Sequence, residues 1–225
     1  MSAASGGRPL VRQLVFIDGL DGSGKSELAR SLVAACEAAG AGPVVLFRVD
    51  DFRRPLGALA GEDEATAYYD RYYDFASLDA CLAAFEEGAA RASAPRWDPA
   101  RERVDGTRDL AFGDARLGFV EGVFVLRSAR AARAPLILLE VSEAEARRRI
   151  GARDAARGRA SDVIEHRIDH RYFPAQRRYR EALDPVRRAD VLIDNENWRS
   201  PRVLRRAPGR LPPAVETALD RVFPP

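Results

Sequence analysis

Gly19-Leu20-Asp21-Gly22-Ser23-Gly24-Lys25-Ser26 reads G-x-x-x-x-G-K-S, and its flanks are the ones that spacing needs. An apolar run, Leu14-Val15-Phe16-Ile17, enters as a buried strand, and the helical pattern Glu27-Leu28-Ala29-Arg30-Ser31-Leu32-Val33 leaves. Glycines let the backbone curl so that successive N–H groups point at phosphate oxygens, and the helix N-terminus adds its positive dipole end. Gly19, Asp21, Gly22, Ser23, Gly24, Lys25, Ser26 and Glu27 are therefore expected to bind ATP. Within the loop, Lys25 reaches the β- and γ-phosphates and the Ser26 hydroxyl sits on Mg²⁺. A chance glycine turn is the bland alternative, and the strand and helix on either side argue against it. Lys25 is also the only lysine in the chain, the other strong bases being arginine. Lysine is kept where a compact, flexible ammonium is needed.

Working outward, strands alternate with helical patterns, which implies a parallel sheet with ligands at the C-terminal strand ends. The expected fold is α/β: a three-layer P-loop NTPase with a five-stranded, mostly parallel sheet, an arginine-rich lid and a small hairpin excursion. Residues 1–11 read as a flexible leader, 12–205 as the P-loop domain with a lid at about 147–160, and 206–225 as a Pro/Arg-rich tail. The strands fall at about Gln13–Asp18, Val44–Val49, Leu117–Gly122, Leu136–Val141 and Val191–Ile193. Helices are expected at about 25–39, Leu78–Glu87, from Ser142 into the arginine-rich stretch, and 161–183, with a short one at 213–221. Gly57 and Gly61 mark a loop, residues 89–116 read as a polar, irregular hairpin outside the core, and Tyr68, Tyr69, Tyr72 and Tyr73 cluster.

With 225 residues, 36 basic and 34 acidic, the chain suits one domain of nearly balanced charge. No basic run is interleaved with stacking aromatics, so nucleic acid is not an expected partner. No run approaches the roughly 18–20 apolar residues of a membrane span. Cys36 and Cys81 sit at apolar helical positions without metal-ligand spacing, as buried thiols of a reducing compartment do. Together these predict a cytoplasmic protein acting on a small molecule, with a homo-oligomer left open.

Phosphoryl transfer needs a carboxylate near the γ-phosphate to take the acceptor's proton. Asp50 stands where that base belongs, at the end of the strand after the P-loop helix. Asp51 beside it is less placed, because side chains alternate and only one of the pair should point inward. Glu121, at the end of the third strand, is the candidate second metal-linked acid. Arg149, Arg153 and Arg157 fall at i, i+4 and i+8 and are expected on one helix face, closing over phosphates. His166 and His170 share a helix face but have no third ligand nearby, so a metal pair is not expected there.

Taken together, these residues resemble the uridine kinase-like group of P-loop small-molecule kinases. Asp50-Asp51-Phe52-Arg53-Arg54-Pro55 is similar to the group's D-[SD]-F-[YF]-x-P motif, in which the first Asp is the catalytic base. Tyr73-Asp74-Phe75 with Leu78-Asp79 is similar to its helix entry, and Pro95-Arg96-Trp97-Asp98 to its P-x-Y-D hairpin. Glu121-Gly122, Arg153-Asp154 with Arg157-Gly158-Arg159, and Ala189-Asp190-Val191-Leu192-Ile193 continue the likeness over roughly residues 12–195. The resemblance implies an ATP- and Mg²⁺-dependent kinase acting on a hydroxyl of a nucleoside or related small molecule. Asp50, Lys25 and Arg153 would be catalytic, Arg149 and Arg157 would bind ATP, and Ser26 and Glu121 would hold the metal. Asp51, Arg53, Asp74, Trp97, Asp98 and Arg159 would face the acceptor. Arg53 replaces the family's tyrosine, Trp97 replaces another, and Pro99-Ala100-Arg101-Glu102 lacks the histidine that follows the hairpin. These departures bear on which acceptor is used rather than on the reaction class.

Two rivals stay open. Ile17-Asp18-Gly19-Leu20-Asp21-Gly22 is also similar to thymidylate kinase, whose acceptor is a nucleoside monophosphate, although its R-E-P-G-G continuation is missing. A non-catalytic ATP-binding protein is the other. A GTP switch needs N-K-x-D to read guanine, and a chain whose sole lysine is Lys25 cannot supply it.

Overall fold

Leu14 to Ile17 are each at most 4% exposed, which places β1 (Gln13–Gly19) in the middle of the sheet. This computed structural model describes residues 11–55, 63–98 and 100–224. The leader apart from Val11, the loop glycines Gly57 and Gly61, and Pro99 lie outside the described residues. Successive side chains of a strand point to opposite faces. Leu14 and Phe16 accordingly join one core cluster, and Val15 and Ile17 the other. The same alternation splits Leu136 and Leu138 of β6 (Leu136–Glu140) from Ile137 and Leu139. Such near-continuous apolar strands are what a parallel sheet covered on both faces requires.

The main sheet has six strands in the order β2 (Val44–Arg48), β5 (Leu117–Glu121), β1, β6, β7 (Val191–Asp194) and β8 (Arg202–Arg206). The first five run parallel, and β8 adds an antiparallel edge to β7. That edge strand is additional to the five expected. Its sequence, Arg-Val-Leu-Arg-Arg, has no buried residue, so it lacks the apolar signature of the central strands. In register, Ile17, Glu121 and Arg48 lie level at one end of neighbouring strands. This is the C-terminal edge, where ligands gather in open α/β sheets.

Against one face lie α1 (Lys25–Ala38) and α8 (Pro213–Val222). Leu28, Leu32 and Cys36 meet Val215, Ala218 and Leu219 there, so the end of the expected tail is built into the core. The other face is covered by α2 (Glu64–Asp70), α3 (Phe75–Glu86), α4 (Glu143–Ala155), α5 (Ser161–Arg167) and α6 (Phe173–Leu183). Asp74 starts α3 three residues earlier than its apolar pattern predicts, by accepting from the Ser77 N–H at 3.1 Å. The helix expected over 161–183 opens into one wide π-type turn at Ile168–Tyr172. Pro174 follows that turn and has no N–H for the ladder.

The hairpin β3 (Arg91–Asp98)–β4 (Arg103–Ala111) forms as expected. Its base belongs to the core, however, since Ala94, Phe112 and Ala115 are buried, Phe112 against Phe47 and Phe85. Among the described residues, no helix is long and apolar enough to cross a membrane. Cys36 and Cys81 are buried free thiols, the Cys36 thiol pushed up to about 11 by burial.

Candidate functional site

The phosphate loop is held from behind by side chains of distant segments. Gly24 takes a left-handed conformation (φ 97°) as it starts α1, and a Cβ there would come within 2.7 Å of the Asn195 amide. That amide donates to the Ser23 carbonyl at 2.7 Å. Arg149 reaches the Gly22 and Ser23 carbonyls at 3.4 Å each and the Asn195 carbonyl at 2.6 Å. Of the expected ATP-binding residues, Arg149 thus braces the outer side of the loop. Glu27 points to solvent and pairs with Arg30 at 2.8 Å. Ser23 Oγ is buried with no hydrogen-bond partner, a donor left inside a loop of phosphate-binding shape.

Lys25 Nζ caps the Gly19 and Leu20 carbonyls at 2.9 and 2.6 Å, the bonds a phosphate oxygen would compete for. Ser26 Oγ lies 3.2 Å from both oxygens of Glu121, across from α1 on the end of β5. Burial raises the Glu121 carboxyl, Lys25 opposes the shift, and the Asp50 charge adds to it. A hydroxyl plus one carboxylate suits Mg²⁺, which takes one or two protein oxygens and completes its shell with phosphate and water. Among the described residues, no group of three or more His, Cys, Asp or Glu could hold a metal by itself. The pair Ser26–Glu121 therefore fits a metal that arrives with a nucleotide. Burial also pushes the Asp18 carboxyl, which receives hydrogen bonds from Tyr179 and the Gly19 N–H, up to about 6.

On the other bank of the cleft, the turn Val49–Phe52 carries Asp50 and Asp51 away from β2. Asp50 is 54% exposed, ion-paired with Arg53, and accepts from the Tyr73 hydroxyl at 3.2 Å. Asp51 turns to the hairpin, where Arg108 binds it at 2.6 Å; both aspartates stand in a 3₁₀ turn past β2, so the turn rather than strand alternation parts them. Asp74 is occupied as the α3 cap and by Arg54 at 3.0 Å. Asp98 accepts from the Ala100 N–H at 2.9 Å and shapes the hairpin tip. Trp97 is half-buried on β3 opposite Val104. Asp50, Arg53 and Asp51 are thus near one another, whereas Asp74 and Asp98 serve local structure.

In the expected lid, α4 ends at Ala155, so Arg157 lies beyond the helix and leaves the face shared by Arg149 and Arg153. The cause is local: Gly158 takes φ 77°, and the Arg157 and Arg159 N–H groups fold back to the Asp154 carbonyl at 3.1 Å. Fully buried Asp154 binds Arg153 at 2.8 Å and Arg159 at 2.6 Å. The Arg153 charge is felt by Asp21 in the phosphate loop.

Four residues that pattern reading leaves out contribute to this site: Asn195, Gln176, Tyr68 and Tyr73. The strand-end rule that marks Asp50 and Glu121 also marks Asn195, just past β7. The tyrosines stand out in sequence as a cluster, and Tyr73 also within the helix-entry motif, but their carboxylate partners Asp21 and Asp50 lie 47 and 23 residues away.

No family model matches the chain, and no curated protein matches it in sequence. Among solved structures, it is similar to a candidate uridine kinase from Bacillus stearothermophilus, at 23% identity and TM-score 0.64. That match covers 80% of this chain and 88% of the other. It is also similar to a candidate fructose transport system kinase from Silicibacter sp. TM1040, at 24% identity and TM-score 0.65. Here 79% of this chain and 88% of the other are covered. The chain shares the fold of these structures, a mostly parallel sheet with helices on both faces.

Proposed function

We propose that this chain is a phosphotransferase that moves the γ-phosphoryl group of Mg·ATP to a hydroxyl of a small molecule, with a nucleoside-like acceptor favoured by the sequence resemblance. The observation that carries the reading is Asp50. It is an accessible carboxylate two residues past β2, on the strand edge that holds Glu121, and its charge acts on Glu121 and on Asp21 of the phosphate loop. Asp50 accepts the acceptor's proton, and Arg53 and Tyr73 orient it. Lys25 and Arg153 offset phosphate charge, the latter carried by the segment 147–160 acting as a lid. Ser26 and Glu121 would hold Mg²⁺, which would supply positive charge to offset the charge that develops on the transferring phosphoryl group. Trp97 and Arg108 border the acceptor side from the hairpin.

The test is ADP release with Mg·ATP across uridine, cytidine, other nucleosides, nicotinamide riboside, pantothenate, fructose and dTMP. Stimulation by a nucleoside supports the full reading, and stimulation by fructose keeps the chemistry with a sugar as acceptor. Stimulation by dTMP alone transfers the chain to the monophosphate class. ATP binding with no stimulated release across the panel counts against phosphotransfer. With the responding acceptor, Asp50→Asn is expected to keep ATP affinity and lose turnover by roughly 10²–10⁴-fold. Unchanged turnover would remove Asp50 as the base.

A further inference from the structure

Asp50 is one end of a line of oxygens that leads into the phosphate loop. Tyr73 donates to Asp50 Oδ1 at 3.2 Å, the Tyr73 and Tyr68 hydroxyls are 3.2 Å apart, and Tyr68 reaches the Asp21 carboxylate at 3.2 and 3.3 Å. Both phenols are buried, Tyr68 3% and Tyr73 5% exposed, within a ring cluster that includes Phe124 and Tyr172. Counting protons makes the line unusual. Three contacts join the four groups, yet two phenols bring only two protons. With both aspartates ionised, one contact must be lone pair against lone pair. A third proton completes every bond, whether it sits on Asp50 or on Asp21.

We propose that Asp50, Tyr73, Tyr68 and Asp21 form a proton-sharing chain that passes the proton taken from the acceptor hydroxyl on to Asp21. The proposal rests on Asp50 being the base. As the acceptor oxygen bonds to phosphorus, its O–H bond breaks and the proton moves to Asp50. Tyr73 takes that proton and gives its own to Tyr68, and Tyr68 gives its own to Asp21. Both phenols end neutral, Asp50 is again a carboxylate, and Asp21 is an acid. Burial holds both tyrosines well above their ordinary value of 10, so neither is stored as a phenolate. The ends differ in the required sense. Asp50 is a half-exposed carboxylate ion-paired with Arg53, whereas the densely surrounded Asp21 is raised by burial against the pull of Lys25 and Arg153. The other groups facing the chain are Gln176, 3.5 Å from Asp21, Tyr72 and Tyr172 against the Tyr68 ring, and Glu121, which feels the Asp50 charge.

The test needs no knowledge of the acceptor. The carboxyl carbons of the full-length protein, ¹³C-labelled at aspartate, are titrated by NMR, with Asp21→Asn and Asp50→Asn giving the assignments. In Tyr73→Phe the chain is cut two links from Asp21, and the Asp21 midpoint is expected to fall by about half a pH unit or more. Tyr68→Phe, which cuts it one link from Asp21 and two from Asp50, should lower the Asp50 midpoint in the same way. An Asp21 midpoint equal in wild type and a folded Tyr73→Phe protein would overturn the chain. If Tyr73→Phe does not fold, an unmoved Asp50 midpoint in Tyr68→Phe overturns it instead. With an acceptor in hand, the acid limb of the kcat profile should shift to lower pH in Tyr73→Phe and in Asp21→Asn, and the double variant should shift no further. An active Asp50→Asn enzyme would sink the base reading. An inactive one beside an unmoved Asp21 midpoint would sink only the chain.

Discussion

The two banks of the cleft are built from different interactions. On the nucleotide bank, Lys25, Asn195 and Arg149 donate to backbone carbonyls of the phosphate loop, and Glu121 receives Ser26, with Lys25, Asn195 and Glu121 all buried. On the acceptor bank, Asp50–Arg53 and Asp51–Arg108 are ion pairs whose side chains are 29–54% exposed. Buried hydrogen bonds fix geometry because leaving one unmade costs about 1–3 kcal/mol. Exposed ion pairs contribute about 0–1 kcal/mol and give way to salt or to a competing ligand. The first bank is therefore set before a ligand arrives, and the second can be re-partnered by one. On the proposed phosphotransfer, that division would hold one donor nucleotide firmly while leaving the acceptor side adaptable.

The sharpest break is Lys25→Ala. Lys25 is the single lysine and is buried in the loop, so the substitution removes the ammonium that the loop itself carries. Turnover is expected to fall by on the order of 10²–10³-fold, the usual loss for one transition-state donor. The folded state should persist, as read by an unchanged circular dichroism spectrum. Turnover within tenfold of wild type would place the charge-balancing role elsewhere.

The same division explains what could be read from sequence. The phosphate loop, β1, the strand-end acids and the order of elements were legible because each is local: a spacing, an apolar run, a cap. Glu121 was legible as a strand end, yet its partner Ser26 lies 95 residues away and only the fold brings them together. Asp74 and Asp98 looked like pocket residues because a motif gives residue types but not which hydrogen bonds are already taken. Arg157 fell on the helical face by counting, and the left-handed Gly158 ended the helix before it. β8 was hidden for another reason: an edge strand with no buried residue carries no period-2 signal, whereas the short helix expected at 213–221 is present as α8.

Asp18 tests the nucleotide bank from beneath. Its folded carboxyl is raised to about 6 from an ordinary value of 3.8, so the folded state binds the proton more tightly than the unfolded chain. The stability this group supplies is full below about pH 4 and is lost as pH rises through about 6, a change of about 3 kcal/mol if the shift is taken whole. Asp18→Asn mimics the protonated form and keeps the Tyr179 and Gly19 contacts within reach. The variant should lose less stability than wild type between pH 5 and pH 7.5 by denaturant unfolding. Parallel pH curves for the two proteins would mean that Asp18 is not raised in the fold.

The smallest effect belongs to the acceptor bank. Arg108→Ala removes the 2.6 Å link from the hairpin to Asp51, a pair with side chains 39% and 37% exposed. A pair of that exposure contributes up to about 1 kcal/mol, so the acceptor KM should rise by at most about fivefold while the ATP KM stays put. Salt should reproduce the variant: at about 1 M, where charges are screened beyond about 3 Å, wild type should approach it. Asp51→Asn should behave alike, and the double variant should be no worse than either single one, since both remove one interaction. A rise in ATP KM instead would mean that the hairpin is coupled to the phosphate loop and that the two banks are one mechanical unit.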